Sequence, residues 1–247
     1  MWPSYLINLK DNHVRLENSR RQFDGEGIAF HRIDAVNGWE LSDEEISRVY
    51  DSEAAHRRYK YQLVKPEIGC YLSHIEAWRQ IAESGADGGF VFEDDFNIVT
   101  KLKPVLEALT ASSENWNMVK MFSIKEHPKI MRWKSLTQFH DLVVPFQVPT
   151  CLLAYGIRAE TARNLVENSV PFFRPVDEDH KFYWEKNLRV SLVHPSPVSV
   201  GDQQTETGTI GNARRADTRK TPFMRKQSYQ LKYKSALYYH RLAGLFQ

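Results

Sequence analysis

Short apolar runs and stretches of helical spacing succeed one another along most of this chain. Residues 5–9 form a compact apolar run, the pattern of a buried strand. A polar stretch from Lys10 follows and predicts a helix that ends near the Gly25 and Gly27 breakers. Residues 28–33 alternate as a second strand, and Asn37-Gly38 marks a turn. Ser42-x-x-Glu45 is a capping box opening a short helix to about Tyr50. Residues 52–64 are polar and basic without a clear period and read as a loop. Pro66 begins a longer helix, with Ile68, Leu72, Ile75 and Ala82 on one apolar stripe before Gly85. Residues 90–92 are a second compact run, and it ends abruptly in Glu93-Asp94-Asp95. Beyond it the pattern predicts a helix over 104–110, a strand over 117–124 and a hairpin within 130–148. It then predicts a strand over 151–157, helices over 159–168 and 177–186, and a strand over 189–193. Strand and helix alternate without repeats, which indicates an α/β layered domain.

Composition narrows the class. At 247 residues, 42 % hydrophobic and 26 % charged, the chain has the make-up of a globular protein, not a disordered or fibrous one. No run approaches the ~18 apolar residues of a membrane span, and the first residues lack a basic-flanked apolar segment. Cys70 and Cys151 are too few for a disulfide framework or a zinc finger, so a soluble protein of a reducing compartment is expected. The net charge of +2 conceals an asymmetry: residues 214–247 hold nine basic side chains and one acid, leaving an acidic body. The expected division is a domain over 1–213 and a basic, aromatic, helical tail over 214–247.

Three clusters carry candidate chemistry. Glu93-Asp94-Asp95 would point into the crevice beyond a strand's carboxyl end, where open α/β sheets bind ligands. Carboxylates so close repel one another, and a hard cation such as Mn²⁺ or Mg²⁺ is the natural compensator; a solvated acidic turn is the plain alternative. Asp177-Glu178-Asp179 follows Arg174-Pro175-Val176 and reads either as capping acids of a helix or as a second set of site carboxylates. Glu67, Cys70 and His74 share one face of the Pro66 helix, read as a hydrogen-bonded polar seam in preference to a metal site. Lys10, Arg15, Arg20 and Arg21 are candidates for phosphate contacts, and His194 is a lesser one. Neither a dinucleotide fingerprint, a P-loop, a Gly-x-Ser-x-Gly elbow nor a kinase motif set is present.

Four motifs in order, residues 5–10 with Arg15, residues 33–38, residues 67–74 and residues 92–95, resemble the signatures of glycosyltransferase family 25. That family includes lipooligosaccharide galactosyltransferases and collagen galactosyltransferases. The similarity extends to about residue 200, with Tyr155-Gly156 and Pro175-Val176-Asp177 as later landmarks. Asn37 stands where the family more often has Asp. Gln203-Gln204 with Gly208-Thr209-Ile210 is a loose version of the family's ending.

The resemblance implies an α/β, GT-A-like nucleotide-sugar fold with a mixed central sheet. It also implies inverting transfer of galactose, or glucose, from a UDP-sugar. The acceptor would be a lipopolysaccharide or lipooligosaccharide core, an oligosaccharide carried on a lipid. In that reading Asp95 and Glu93 hold the metal, and Asn8, Lys10, Arg15, Glu93, Asp94 and His74 surround the donor. Asp177, Asp179 and Glu178 are the catalytic candidates, Asp177 or Asp179 serving as base. A metal-dependent phosphohydrolase and a non-catalytic sugar-binding protein are the alternatives. In the tail, Tyr229, Tyr233 and Leu237 recur at helical spacing, as do Leu231, Tyr238, Leu242 and Leu245 beside Lys232, Lys234 and Arg241. Such a helix suits an anionic membrane surface, or a cap on the domain, better than nucleic acid. The expected location is the cytoplasmic face of a bacterial inner membrane.

Overall fold

The computed structural model describes residues 1–201, 210–217 and 222–243; Gln203, Gln204, Gly208, Thr209 and Leu245 lie outside them. The strands are β1 (Ser4–Asn8), β2 (Phe30–Asp34), β3 (Gly88–Glu93), β4 (Phe96–Ile98), β5 (Met118–Lys120), β6 (Ile130–Ser135), β7 (Asp141–Pro145), β8 (Ala154–Arg158), β9 (Val190–His194) and β10 (Val198–Val200). The helices are α1 (His13–Glu26), α2 (Asp43–Val49), α3 (Ser52–Arg58), α4 (Lys65–Glu83), α5 (Leu102–Ala111), α6 (Ala159–Asn168), α7 (Val176–Lys181), α8 (Ile210–Ala216) and α9 (Phe223–Ala243).

Eight strands make one sheet in the order β2-β1-β3-β8-β5-β9-β7-β6, and β4 pairs with β10 in a small second sheet. β1 runs parallel to β2 and β3, and β5 parallel to β9, whereas β8 lies antiparallel between β3 and β5. The mixed α/β architecture with a C-terminal helix is the one expected. Because β1, β3, β5 and β9 point the same way, Asn8, Glu93, Lys120 and His194 all sit at one end of the sheet. One core layer lies under α4, α6 and α9, and a second packs α5 and Phe23 of α1 against the opposite face. Tyr229, Tyr233 and Leu237 of α9 belong to the first layer, and the 213/214 boundary falls within α8.

Local chemistry explains most boundaries. Ser42 and Glu45 form the reciprocal capping box before α2. Gly27 ends α1 in the left-handed conformation with φ 63°, a cap that favours glycine. Residues 52–64 are not a loop throughout. Asp51 caps Ala54 N, and α3 forms because it buries Ala54 and Ala55, two small residues that gave no visible period. Two other extents differ. The strand expected over 117–124 is only Met118–Lys120, and the helix expected over 177–186 stops at Lys181, followed by a 3-10 turn over Tyr183–Glu185. Among the described residues, no helix is long and apolar enough to cross a membrane.

The 36–38 turn and α4 interlock. A Cβ on Gly69 would sit 2.5 Å from Val36 O and 2.6 Å from Gly38 N, and one on Gly38 would overlap the Lys65 carbonyl. Ser73 Oγ accepts from Val36 N at 2.9 Å and donates to Gly69 O at 2.7 Å. Gly69→Ala is therefore expected to lower stability by about 1–3 kcal/mol through overpacking, seen as a shift in denaturant midpoint with unchanged slope. An unchanged midpoint would contradict the close approach.

Candidate functional site

The sheet's carboxyl end gathers the chemistry. β3 is buried from Gly88 to Phe92 and delivers Glu93 at its mouth, with the side chain 28 % exposed. Asp94 and Asp95 follow in the turn to β4, and Gly201 N donates to Asp95 O at 2.6 Å, tying that turn to the end of β10.

A chain of hydrogen bonds sets the state of Glu93. Trp78 Nε1 donates to Tyr155 Oη at 2.8 Å, Tyr155 Oη lies 3.0 Å from His74 Nδ1, and His74 Nε2 lies 3.1 Å from Glu93 Oε1. Indole N–H can only donate, so the fully buried Tyr155 hydroxyl directs its own proton to His74 Nδ1. His74 Nε2 then carries the ring proton and donates it to Glu93. The helix face bearing Cys70 and His74 is thus a hydrogen-bonded seam. Cys70, His74 and Glu93 bring ligand atoms within 4.8 Å of one another. Yet His74 keeps no lone pair for a metal in this arrangement, and burial pushes the Cys70 thiol well above its ordinary pKa. Glu67, on the same face, accepts from Val64 N at 2.9 Å and pairs with Arg214 of α8, so it anchors the start of α4.

Asp177 approaches from the other side of the cleft. Its Oδ2 accepts from Cys151 N at 3.0 Å and its Oδ1 from Glu178 N at 2.8 Å. Cys151 holds φ 73°, a strained value for a residue with a Cβ, and it sits at the site. Burial raises the Glu93 pKa; His74 opposes the shift, and the charges of Asp95 and Asp177 add to it. The charge of Asp177, from the second acidic stretch, thus reaches Glu93 in the first.

Beneath them lies Lys120, fully buried at the end of β5. Its Nζ donates to the Cys151 carbonyl at 2.8 Å and to the Pro149 carbonyl. Burial brings its pKa down to about 8, while Asp177, Cys151 and Glu93 hold it up. Sequence reasoning missed this residue; the available signal was a lone lysine inside the apolar strand Met118–Lys120. It braces the loop whose Cys151 N–H holds Asp177. His180 of α7 is buried against Trp78, and burial brings its pKa down to about 3, so it stays neutral.

Several expected site residues have other work. Glu178 pairs with Lys60 at 2.7 Å and Lys181 at 3.1 Å and accepts from Tyr229 Oη. Asp179 accepts from Tyr71 Oη at 2.7 Å and pairs with Arg174 at 2.5 Å and Lys186 at 3.5 Å. Burial works to raise both pKa values, but the flanking cations outweigh it and hold both below the ordinary carboxylate range. Glu178 and Asp179, two of the three catalytic candidates, are thus buried carboxylates held by cations, an arrangement that anchors α7. Asn8, Arg15 and Asp94, expected around the donor, are bonded to one another. Asp94 accepts from Asn8 Nδ2 at 2.7 Å and Arg15 Nη1 at 2.9 Å, so the three lock β1, α1 and β3 together as a floor. Lys10 is exposed in the turn after β1, and Arg20 lies over Phe30 on the outer side of α1. His194 ends β9 opposite Asp141. Asn37 keeps its turn role, accepting from Trp39 N.

Over residues 1–179 the chain matches the family model described as Glycosyltransferase family 25 (LPS biosynthesis protein). The chain belongs to glycosyltransferase family 25. It is 31 % identical to procollagen galactosyltransferase 1-A of Xenopus laevis, over 47 % of this chain and 20 % of that protein. It is 29 % identical to procollagen galactosyltransferase 1 of Danio rerio, over 83 % of this chain and 39 % of the relative. A human relative, 30 % identical over 70 % of this chain and 30 % of its own length, is named inactive glycosyltransferase 25 family member 3. The chain thus spans well under half the length of these relatives. Among solved structures, a Drosophila β-1,4-galactosyltransferase 7 mutant in complex with manganese, UDP-Gal and xylobiose aligns with TM-score 0.41 and 12 % identity. That alignment covers 91 % of this chain and 77 % of that one, and at those scores it carries no correspondence between residues.

The family 25 landmarks divide by role in this chain. Gly38, Gly69 and Ser73 serve packing, Glu67 serves docking, buried His74 holds Glu93, and Glu93 and Asp177 are partly exposed.

The pKa directions give two expected outcomes of opposite sign. The folded pKa of Glu93 lies above its unfolded value, so its charge costs stability above that folded pKa. Glu93→Gln should therefore raise the melting temperature at pH 7, a gain that disappears below about pH 4. Glu178 and Asp179 have depressed folded values, so their contribution is present above pH ~4 and is lost on further acidification. Asp179→Asn should cost about 3–5 kcal/mol at pH 7 by leaving Arg174 poorly paired, and it should flatten the acid limb of the stability profile. Equal losses for Asp177→Asn and Asp179→Asn would contradict their different roles.

Proposed function

We propose that this chain transfers a hexose, galactose in the first place, from a UDP-sugar to a hydroxyl of a glycan acceptor, with inversion. The observation that carries the reading is the placement of Glu93 at the mouth of β3, within reach of the charges of Asp95 and Asp177, in a chain whose family is that of glycosyltransferases. Galactose is favoured by the galactosyltransferases among its relatives, and a lipopolysaccharide-type, lipid-linked acceptor by the family's association with LPS biosynthesis.

Asp95 and Glu93 would hold Mn²⁺ or Mg²⁺. When bound, such an ion stabilises the negative charge that grows on the leaving nucleoside diphosphate, an effect worth several kcal/mol. The rest falls to side chains. His74 fixes the rotamer of Glu93 by donating to Oε1, leaving Oε2 for the cleft. Asp177 accepts the acceptor hydroxyl's proton as the sugar carbon is attacked from the face opposite the leaving group; a positioned base adds about 10²–10⁴ in rate. Lys120 keeps the Cys151 backbone in place and so aims Asp177. The floor of Asn8, Arg15 and Asp94 gives the donor a rigid base, and Lys10 at its rim offers a cation to phosphate.

The test is UDP release from a panel of UDP-sugars with Mn²⁺, with and without glycan acceptors. Asp95→Asn is expected to fold normally and to lose metal-dependent turnover. Asp177→Asn is expected to lower turnover roughly 10²-fold or more with donor affinity little changed. Cleavage of the diphosphate itself would favour a phosphohydrolase. Metal-dependent UDP binding without turnover would favour a non-catalytic sugar-binding protein.

A further inference from the structure

The C-terminal helix α9 has two faces, and only one is explained by the fold. Its inner face is docked: Tyr229, Tyr233 and Leu237 are buried in the core, and Tyr233 meets Phe182 edge-on at 5.1 Å. Arginines pin both ends. Arg225 donates to Ala55 O at 2.8 Å and Tyr59 O at 2.9 Å, and Arg241 donates to Pro145 O at 2.7 Å and Phe146 O at 2.8 Å. With its orientation fixed in this way, α9 holds its other face outward.

That outward face carries a stripe of exposed apolar side chains, with Ser228 and Ser235 between them. Met224, Leu231, Tyr238 and Leu242 are each more than half exposed. Their spacing of seven, seven and four residues places them on one stripe at about 100° per residue. Lys232 and Lys234 are exposed and project to opposite sides of this stripe. Phe146 packs on Tyr238 at 5.2 Å, and Lys129 lies 4.7 Å over Phe146, so the apolar and basic surface continues off the helix. The docked face meets α7 next to Asp177, through Tyr229 and Glu178.

We infer that this outward face of α9 seats the protein on an anionic lipid surface, with Met224, Leu231, Tyr238 and Leu242 entering the interface and Lys232, Lys234 and Lys129 meeting acidic headgroups. The occupant is chosen by charge. A second copy brought face to face would set lysines against lysines, whereas anionic headgroups neutralise them. With its other apolar side buried in the domain, the helix of 21 residues leaves a lysine-flanked apolar stripe to meet a lipid surface. The inference deepens the lipid-linked acceptor reading, because it would hold the Asp177 side of the cleft near such an acceptor. Vesicle binding is nevertheless read without sugar transfer, so the two fail separately.

The test is co-sedimentation of the full chain with vesicles of phosphatidylcholine alone or containing about one third phosphatidylglycerol. Binding is expected to the anionic vesicles, to weaken with added salt, and to be slight on phosphatidylcholine. Leu231→Asp with Leu242→Asp should abolish it. Lys232→Glu with Lys234→Glu should weaken it at least about tenfold, at roughly 1 kcal/mol for each basic residue near the surface. The melting temperature, and UDP release from the donor if present, should be unchanged in both variants. Wild-type failure to bind anionic vesicles, or equal binding by the Leu231/Leu242 variant, overturns the inference. So does a dimer in solution that Leu231→Asp dissociates, which would assign the face to a second copy.

Discussion

Everything in the site depends on holding Glu93 where burial, and after it the charges of other carboxylates, oppose its ionisation. Glu93, Asp95 and Asp177 come from two stretches some eighty positions apart, and Glu93 registers the charge of both others. Such a gathering is unfavourable in itself and persists only where rigid surroundings prevent the side chains from swinging away. Here the surroundings are specific. Buried β3 and His74 fix Glu93, two backbone N–H groups fix Asp177, and the ammonium of Lys120 braces the Cys151 loop from below. The strain shows in the positive φ of Cys151, and burial first, with the neighbouring charges adding to it, raises the proton affinity of Glu93.

The stability that offsets this strain comes from groups of the opposite character close by. Within one short helix, Asp177 turns to the cleft while Glu178 and Asp179 turn inward to Lys60, Lys181, Arg174 and Lys186. Removing one partner from such buried pairs leaves an uncompensated charge, so they fix the position of α7 firmly. The same three-residue acidic run thus holds one carboxylate on backbone N–H groups and two on buried cations.

The basic C-terminal segment is divided just as sharply. Its arginines at 214, 225 and 241 turn inward, where the planar fork can satisfy a carboxylate or several carbonyls at once. Lys232 and Lys234 stay outside as hydrated point charges. What looked like a single basic tail is a clamp on the domain and an outer rim.

The sequence by itself determined the α/β alternation, the capping box at Ser42, the long helix after Pro66 and the acidic mouth of β3. Those depend on local periodicity, turn chemistry and an abrupt change from apolar to charged residues, all contained within a few positions. It also carried the family motifs, although Gly69 and Ser73 show their purpose only where they meet the 36–38 turn. Helix α3 escaped because two buried alanines leave no amphipathic signature. Which of Asp177, Glu178 and Asp179 faces the cleft, that Lys120 lies beneath it, and which side of α9 faces out were decided by tertiary structure alone. A carboxylate's role is set by the charges that surround it in space, and Tyr71, Arg174 and Lys60 reach those acids from chain positions that local sequence does not connect to them.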